Sequence, residues 1–126
     1  MMRSTLAPVL ACIALLTTPA AAQDGTPTVP IALSSFHIAP ATIHLAAGRP
    51  VRLAFTNDSG SGHDFTAPGF FAASKIVAGS APEGEVELRG HAATSVTLVP
   101  TRGTWRAHCS HFGHKLLGMS ATIVVD

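Results

Sequence analysis

Short segments in which apolar and polar residues alternate recur along most of the chain. In the clearest of them, Val51, Leu53 and Phe55 would lie on one face of a strand, and a polar turn sequence follows at 57–62. Six similar segments are separated by turns that contain glycine, proline or small polar residues: 31–38, 42–45, 85–88, 94–99, 104–109 and 120–125. Seven short strands at this spacing predict an all-β fold, either a two-sheet sandwich or a small barrel. One short helical turn is predicted at 70–76.

The N-terminal segment has a different pattern, typical of a secretory signal. Arg3 is followed by an apolar run at 6–16 and by the small residues Ala20-Ala21-Ala22. The apolar run is shorter than the roughly 20 residues that a membrane-spanning helix needs. We therefore predict a cleaved signal peptide at 1–22, periplasmic localisation and no stable membrane insertion. An alternative that the pattern favours less is a lipid-modified Cys12.

Composition narrows the class of protein further. The chain has 126 residues, of which 47% are hydrophobic and 12% charged, and its formal net charge is +1 with His neutral. This hydrophobicity argues against a disordered chain, and the lack of a basic surplus argues against a nucleic-acid partner. Cleavage after residue 22 would leave 126 minus 22, or 104, residues, the length of one domain. We predict a polar lead-in at 23–30 and one monomeric domain at 31–126.

Cleavage would also leave a single cysteine, Cys109, in an oxidising compartment. The period of two in strand 104–109 places Trp105, Ala107 and Cys109 on one face, and the Trp predicts that this face is the core. A lone thiol in this position could be inert and buried, reactive, or a metal ligand.

The residues that follow favour a metal ligand. A thiol, two imidazoles and a thioether lie within eleven positions, in Cys109, His111, His114 and Met119. Thiolate and thioether favour copper, and one Cys with two His and a distant Met is the donor set of electron-transfer copper sites. Zinc rarely takes Met, which argues against a structural zinc site. A second His must come from elsewhere, and His63, in a Gly-flanked loop after a predicted strand, is the best candidate.

The other histidines are weighed by their spacing. His111 would continue on the same face of the strand as Cys109, whereas a turn at Phe112-Gly113 would bring His114 back towards the thiol, so His114 is preferred. His108 points to the face opposite Cys109 and is predicted to lie at the surface or beside the ligands. Three more have no ligand partner nearby in sequence and are predicted to be surface residues: His37, His44 and His91.

Three segments together resemble the cupredoxins, the small blue copper proteins. They are 55–57 (Phe-Thr-Asn), 62–65 (Gly-His-Asp-Phe) and 105–119, which holds the spacing C-x4-H-x4-M. The resemblance extends from the strand at 31 to Val125 and implies a Greek-key β-sandwich that binds one type 1 copper ion. By the same resemblance, the equatorial ligands are expected to be His63, Cys109 and His114, and the axial ligand Met119.

Two positions depart from the pattern of related proteins. Asp64 stands where this family often has Asn; its carboxylate can accept hydrogen bonds but lacks the amide donors that help to tie the ligand loops together. Multicopper oxidases carry His-Cys-His, whereas this chain has His108-Cys109-Ser110. With Ser110 in that place and only one domain, oxygen reduction is not expected.

The expected function is therefore that of an exported one-electron carrier, not an enzyme, that docks transiently with redox partner proteins. The alternatives are a periplasmic protein for copper delivery, storage or resistance, and a zinc-binding or metal-free interaction domain of the same fold. Phe112, Leu116 and Leu117 would either join the core or form an apolar docking patch around a ligand His.

Overall fold

The computed structural model describes residues 25–126, so the predicted signal peptide and Cys12 lie outside the described residues. Ten strands form two sheets of five strands each, and one short α-helix lies between β5 and β6 in the chain. The strands are β1 (Thr28–Ser34), β2 (His37–Ala39), β3 (Thr42–Leu45), β4 (Val51–Asn57), β5 (His63–Thr66), β6 (Lys75–Ala78), β7 (Glu85–Leu88), β8 (Ala93–Val99), β9 (Gly103–His108) and β10 (Ser120–Val125); the helix α1 is Pro68–Ala73. The predicted all-β sandwich is confirmed.

The strand order is β2-β1-β4-β8-β6 in one sheet and β3-β10-β9-β5-β7 in the other. The pairs β1–β4 and β3–β10 are parallel, and the remaining pairs are antiparallel. Neighbours in each sheet are therefore mostly distant in sequence. Strand β5 contains the candidate ligand His63, and β9 ends immediately before the candidate ligand Cys109. The two strands pair at Thr66 and His108.

The core lies between the sheets and follows the alternation in the sequence. In β4, Val51, Leu53 and Phe55 are buried and the residues between them are exposed or half-buried. Phe55 packs against Phe65 of β5 with ring centroids 5.1 Å apart. Burial of a side chain of this size contributes about 1.5–3 kcal/mol. Trp105, predicted to be core, is only half-buried.

Three elements differ from the prediction. The segment predicted as one strand at 31–38 is a hairpin of β1 and β2 with a turn at Ser35-Phe36, and β1 begins at Thr28, inside the predicted lead-in. The buried positions change from Ile31 and Leu33 to Ile38, so the alternation shifts phase at the turn, and the prediction of a single strand overlooked that shift. The helix spans Pro68–Ala73 rather than 70–76, because the backbone of Ser74 is extended. The Ser74 hydroxyl donates to the Phe70 carbonyl and the Ser74 N–H donates to the Phe71 carbonyl, which ends the helix.

Strands β5 and β6 were not predicted, for opposite reasons. His63, Asp64 and Phe65 of β5 are all buried, so the strand shows no inward and outward alternation. All four residues of β6 are exposed, and pairing with β8 at the edge of the sheet defines the strand. None of the helices among residues 25–126 has the length and apolar character that crossing a membrane requires.

Candidate metal centre

Three connections meet at one end of the sandwich: the β1–β2 turn, the β4–β5 loop and the β9–β10 loop. The β4–β5 loop is fixed by Asn57, a buried residue at the end of β4. Its Nδ2 donates to the carbonyls of Ser61, Leu88 and Arg89 at 2.7, 3.2 and 3.1 Å. His63 follows this anchored loop and is fully buried, so its ring is held in one position.

The β9–β10 loop is closed by backbone hydrogen bonds among the candidate ligands themselves. The N–H of Cys109 donates to the Met119 carbonyl at 3.1 Å, and the N–H of Met119 donates to the His114 carbonyl at 3.2 Å. The predicted turn occurs where Gly113 has φ +77°, a conformation that residues with a Cβ rarely adopt. The loop therefore returns His114 and Met119 to Cys109.

Three side-chain donors converge at this end. The Nδ1 atoms of His63 and His114 are 3.2 Å apart, and Cys109 Sγ lies 3.4 Å from His114 Nδ1 and 3.9 Å from His63 Nδ1. Metal bonds of about 2.0 Å to nitrogen and about 2.3 Å to sulfur would place three trigonal donors about 3.5–3.7 Å apart. The triangle thus has the dimensions of a three-coordinate metal site.

The remaining candidate, Met119, is fully buried, and its backbone is bonded to both Cys109 and His114. One thiolate, two imidazoles and one thioether form a donor set suited to copper, because the sulfur atoms favour Cu(I) and the imidazoles suit both oxidation states. The residues present therefore fit a single copper ion by their chemistry.

Burial also affects the protonation of these donors. It raises the pKa of the Cys109 thiol above the usual 9.0, although backbone N–H groups of Asp64 and His111 directed at the sulfur oppose the shift. Burial lowers the pKa of His63, and the nearby His114 and His111 lower it further. The neutral His63 ring is the form that can bind a metal.

Asp64 ties the two ligand loops together although it has no amide donors. Its Oδ1 accepts hydrogen bonds from Ser110 N–H at 2.8 Å and Thr66 Oγ1 at 2.7 Å, and its Oδ2 accepts from Ser110 Oγ. Its own N–H donates to Cys109 Sγ at 3.4 Å. Ser110 stands where multicopper oxidases have a second His, and here it supplies two hydrogen-bond donors to Asp64. An Asp side chain, which can only accept, is therefore able to connect the two ligand loops.

The sequence did not indicate that the β1–β2 turn would contribute to this site. Ser35 Oγ lies 2.9 Å from His63 Nε2, and Phe36 packs edge-on against the His114 ring with centroids 4.9 Å apart. A hydrogen bond at Nε2 fixes the orientation of the ring whose Nδ1 points at the thiol. The segment was predicted to be strand interior, and neither residue carries a sequence signal for this role.

His111 is placed differently from His114. Its Nε2 lies 3.0 Å from Glu87 Oε1 and 3.6 Å from Asp64 Oδ2, and its ring stacks on His114 at 5.4 Å. His108 is half-buried and belongs to none of the metal-ligand groups found among residues 25–126. His37, His44 and His91 are exposed, as predicted.

The apolar residues of the β9–β10 loop are exposed rather than part of the core. The exposed fractions of Phe112 and Leu116 are 104% and 92%, and that of Leu117 is 59%. They flank His114, which is itself half-buried. Phe70 and Phe71 of α1, in contrast, are buried in the core.

These features define a small β-sandwich domain with a candidate metal centre at one end, built from β5 and the β9–β10 loop. The family model described as a cupredoxin-like domain matches residues 6–125. The chain therefore belongs to the cupredoxin-like domain family. No curated protein sequence matched the chain.

Solved structures of similar fold agree with this assignment. A structure of auracyanin B is 25% identical, covers 82% of this chain and 93% of its own, and has a TM-score of 0.58. Auracyanin A, described as a blue copper protein from the green thermophilic photosynthetic bacterium Chloroflexus aurantiacus, is 19% identical over 81% of this chain and 100% of its own, with a TM-score of 0.60. A laccase from Pediococcus acidilactici is 16% identical with a TM-score of 0.65; the match covers 87% of this chain but only 29% of the laccase.

Proposed function

We propose that this protein binds one type 1 copper ion through His63, Cys109, His114 and Met119 and carries single electrons between redox partners. The observation that carries the proposal is the triangle of Nδ1, Nδ1 and Sγ atoms, with sides of 3.2, 3.4 and 3.9 Å, at a fully buried cysteine. The similarity to auracyanins, one of them described as a blue copper protein, supports it.

Electron transfer is favoured when the ligands move little between oxidation states. Here the protein supplies that rigidity. Cys109, His114 and Met119 share a closed set of backbone hydrogen bonds, His63 is held through Ser35, and Asp64 joins the two loops through Ser110. The copper would supply the redox couple, and these contacts would keep the same donor geometry in both states.

The same arrangement argues against an enzyme. Four protein donors would leave no coordination position for a substrate, unlike catalytic metal sites, which keep one open. Ser110, held by Asp64, occupies the place of the second His of a His-Cys-His sequence. The chain also matches less than a third of the length of the laccase that it resembles.

The proposed docking surface for a partner protein is the loop around His114. The half-buried His114 ring is the ligand nearest to solvent, and exposed Phe112, Leu116 and Leu117 surround it. Apart from exposed Lys115, the residues of this surface are apolar, and an exposed apolar patch of this kind is typical of a surface that contacts another protein. We place this exchange in the periplasm on the signal-like sequence of residues 1–22.

The test is to add Cu(II) to the purified protein and record the visible and electron paramagnetic resonance spectra. An intense thiolate-to-copper band that is absent from Cys109→Ser, together with reversible one-electron titration, is expected. Ser95→Ala is the control, because Ser95 is an exposed residue of β8 outside the ligand groups, and this variant should keep the band. Tight Cu(I) binding without any visible band would overturn the electron carrier and favour copper delivery or storage.

A further inference from the structure

A second group of metal-ligating side chains lies beside the thiolate site. It consists of His111, Glu87 and Asp64, from the β9–β10 loop, β7 and β5. His111 Nε2 lies 3.0 and 3.3 Å from the two Glu87 oxygens and 3.6 Å from Asp64 Oδ2. A carboxylate oxygen of Asp64 lies within 4.8 Å of one of Glu87. The function proposed above uses none of these side chains as a ligand.

The distances are those of ligands around one ion. Two donors bound at about 2.0–2.1 Å in a tetrahedral site are separated by about 3.3 Å. The measured separations from His111 Nε2, 3.0 to 3.6 Å, lie around that value. Without a metal, the same contacts are hydrogen bonds and ion pairs of His111, so the geometry suits both states.

The group is held in place from three sides. The Asp64 side chain is 1% exposed and is fixed by Ser110 and Thr66. The His111 ring stacks on His114 with an interplanar angle of 20°. Gly62 borders the group on the third side, where a Cβ would lie at ordinary van der Waals distance, 3.4 Å from His111 Cε1 and 3.7 Å from a Glu87 oxygen. A metal could reach the group from solvent, since the Glu87 side chain is 51% exposed.

The charge around the group also favours a cation. Glu85 lies with Asp64 and Glu87, and one oxygen of each carboxylate falls within 4.8 Å of the others. The nitrogen closest to the Asp64 and Glu87 carboxylates in this group is His111 Nε2. A divalent ion would relieve the repulsion among these three carboxylates.

We propose that His111, Glu87 and Asp64 form a second metal site, for a divalent transition-metal ion of the zinc class, next to the thiolate site. Imidazole and carboxylate oxygens select Zn²⁺ or a similar ion and give Cu(I) no soft donor. The site needs neither Cys109 nor His114 as a ligand. The second metal site can therefore be tested independently of the electron-carrier function.

The first experiment is titration of the copper-loaded protein with Zn²⁺ by isothermal calorimetry. One additional equivalent of Zn²⁺ is expected, with an affinity at least ten-fold weaker in Glu87→Gln and in His111→Ala. Glu83→Gln is the matched control, because Glu83 is an exposed acid of the same region outside the group, and it should bind as the wild type does. No binding, or equal binding by both variants and the control, would overturn the proposal.

The second experiment keeps the two proposals distinguishable. Cys109→Ser, which lacks the thiol of the first site, is crystallised with Zn²⁺, and anomalous density is measured at the zinc absorption edge. A peak between His111 Nε2 and Glu87 supports the second site even if the wild-type protein forms no blue copper centre. A zinc peak at His63 and His114 alone would overturn the second site.

Discussion

Two groups of side chains lie within a few ångströms of each other at the same end of this sandwich, yet they differ in almost every physical property. The first group, His63, Cys109 and His114, combines sulfur with imidazole nitrogen and contains a fully buried thiol. The second, Asp64, Glu87 and His111, is rich in carboxylates and partly open to water. The first suits a soft metal and the second a harder one.

Sequence neighbours are divided between the two groups. His63 and Asp64 are consecutive in β5 and point in opposite directions, as strand residues must. Cys109 and His111 are separated by Ser110, which bonds to Asp64. Strand β5 and the β9–β10 loop therefore contribute side chains to both groups, β7 adds Glu87 to the second, and the buried carboxylate of Asp64 joins the two groups.

The comparison is tested most strongly by removing one imidazole from each group. His114→Ala should weaken copper binding by 1000-fold or more, about 4 kcal/mol, and abolish the visible band, because the triangle loses a donor. His111→Ala should keep the band. Spectroscopic copper titration of both variants provides the measurement. A blue His114→Ala protein would show that the two groups are not separate.

The link between the groups is tested by Asp64→Ala. This change leaves Ser110 N–H and Thr66 Oγ1 without their buried carboxylate acceptor, and we expect a loss of about 3 kcal/mol in the free energy of unfolding. Thermal unfolding of the metal-free protein should show a fall in melting temperature of roughly 12 °C or more. Asp58→Ala, at an exposed aspartate, is the control; an equal fall in both variants would remove the special role of Asp64.

The axial position of the first group is tested by Met119→Leu. Leucine has a similar volume but no thioether, and the more highly charged oxidised ion loses more from the missing donor than the reduced ion does. The visible band should remain, and the reduction potential should rise by the order of 60 mV, a tenfold change in a one-electron equilibrium. Spectroelectrochemistry that found a lower potential, or a protein without copper, would contradict the assignment.

The smallest effect is expected for the charge of Glu85, a carboxylate that lies beside the second group. Burial, then Asp64 and Glu87, raise the pKa of Glu85 above 4.5, so the folded protein disfavours its charged form. At neutral pH this costs stability, and the cost is removed as the pH falls through the folded-state pKa. Glu85→Gln should therefore stabilise the metal-free protein by a few tenths of a kcal/mol at neutral pH.

Urea unfolding at two pH values checks this expectation. The gain of Glu85→Gln over the wild type should disappear below pH 4.5, where the carboxyl is protonated in both the folded and the unfolded chain. Glu83→Gln serves as the control. A gain that persisted unchanged in acid would mean that charge repulsion is not its cause.

The sequence alone determined the fold class and the candidate donors. The alternation in segments such as 51–57 reports burial on one face, which is a local property that a strand expresses wherever it packs. The donors of the β9–β10 loop are close in the chain, so the spacing of Cys109, His114 and Met119 carries their proximity. His63 could be proposed only from its loop context and from the family resemblance.

Only the tertiary structure decided what surrounds those donors. Ser35 reaches His63 from 28 residues away, Asp64 reaches Ser110 from 46, and Glu87 reaches His111 from 24. Such contacts depend on which strands are neighbours in the sheet and on which way each loop turns. The local pattern of polar and apolar residues reveals neither of these, because a polar residue at a turn looks the same in the sequence whether it faces water or a buried ligand. The sequence therefore determined which atoms could bind a metal, and the packing of distant strands decided how they are held and that a second group lies beside them.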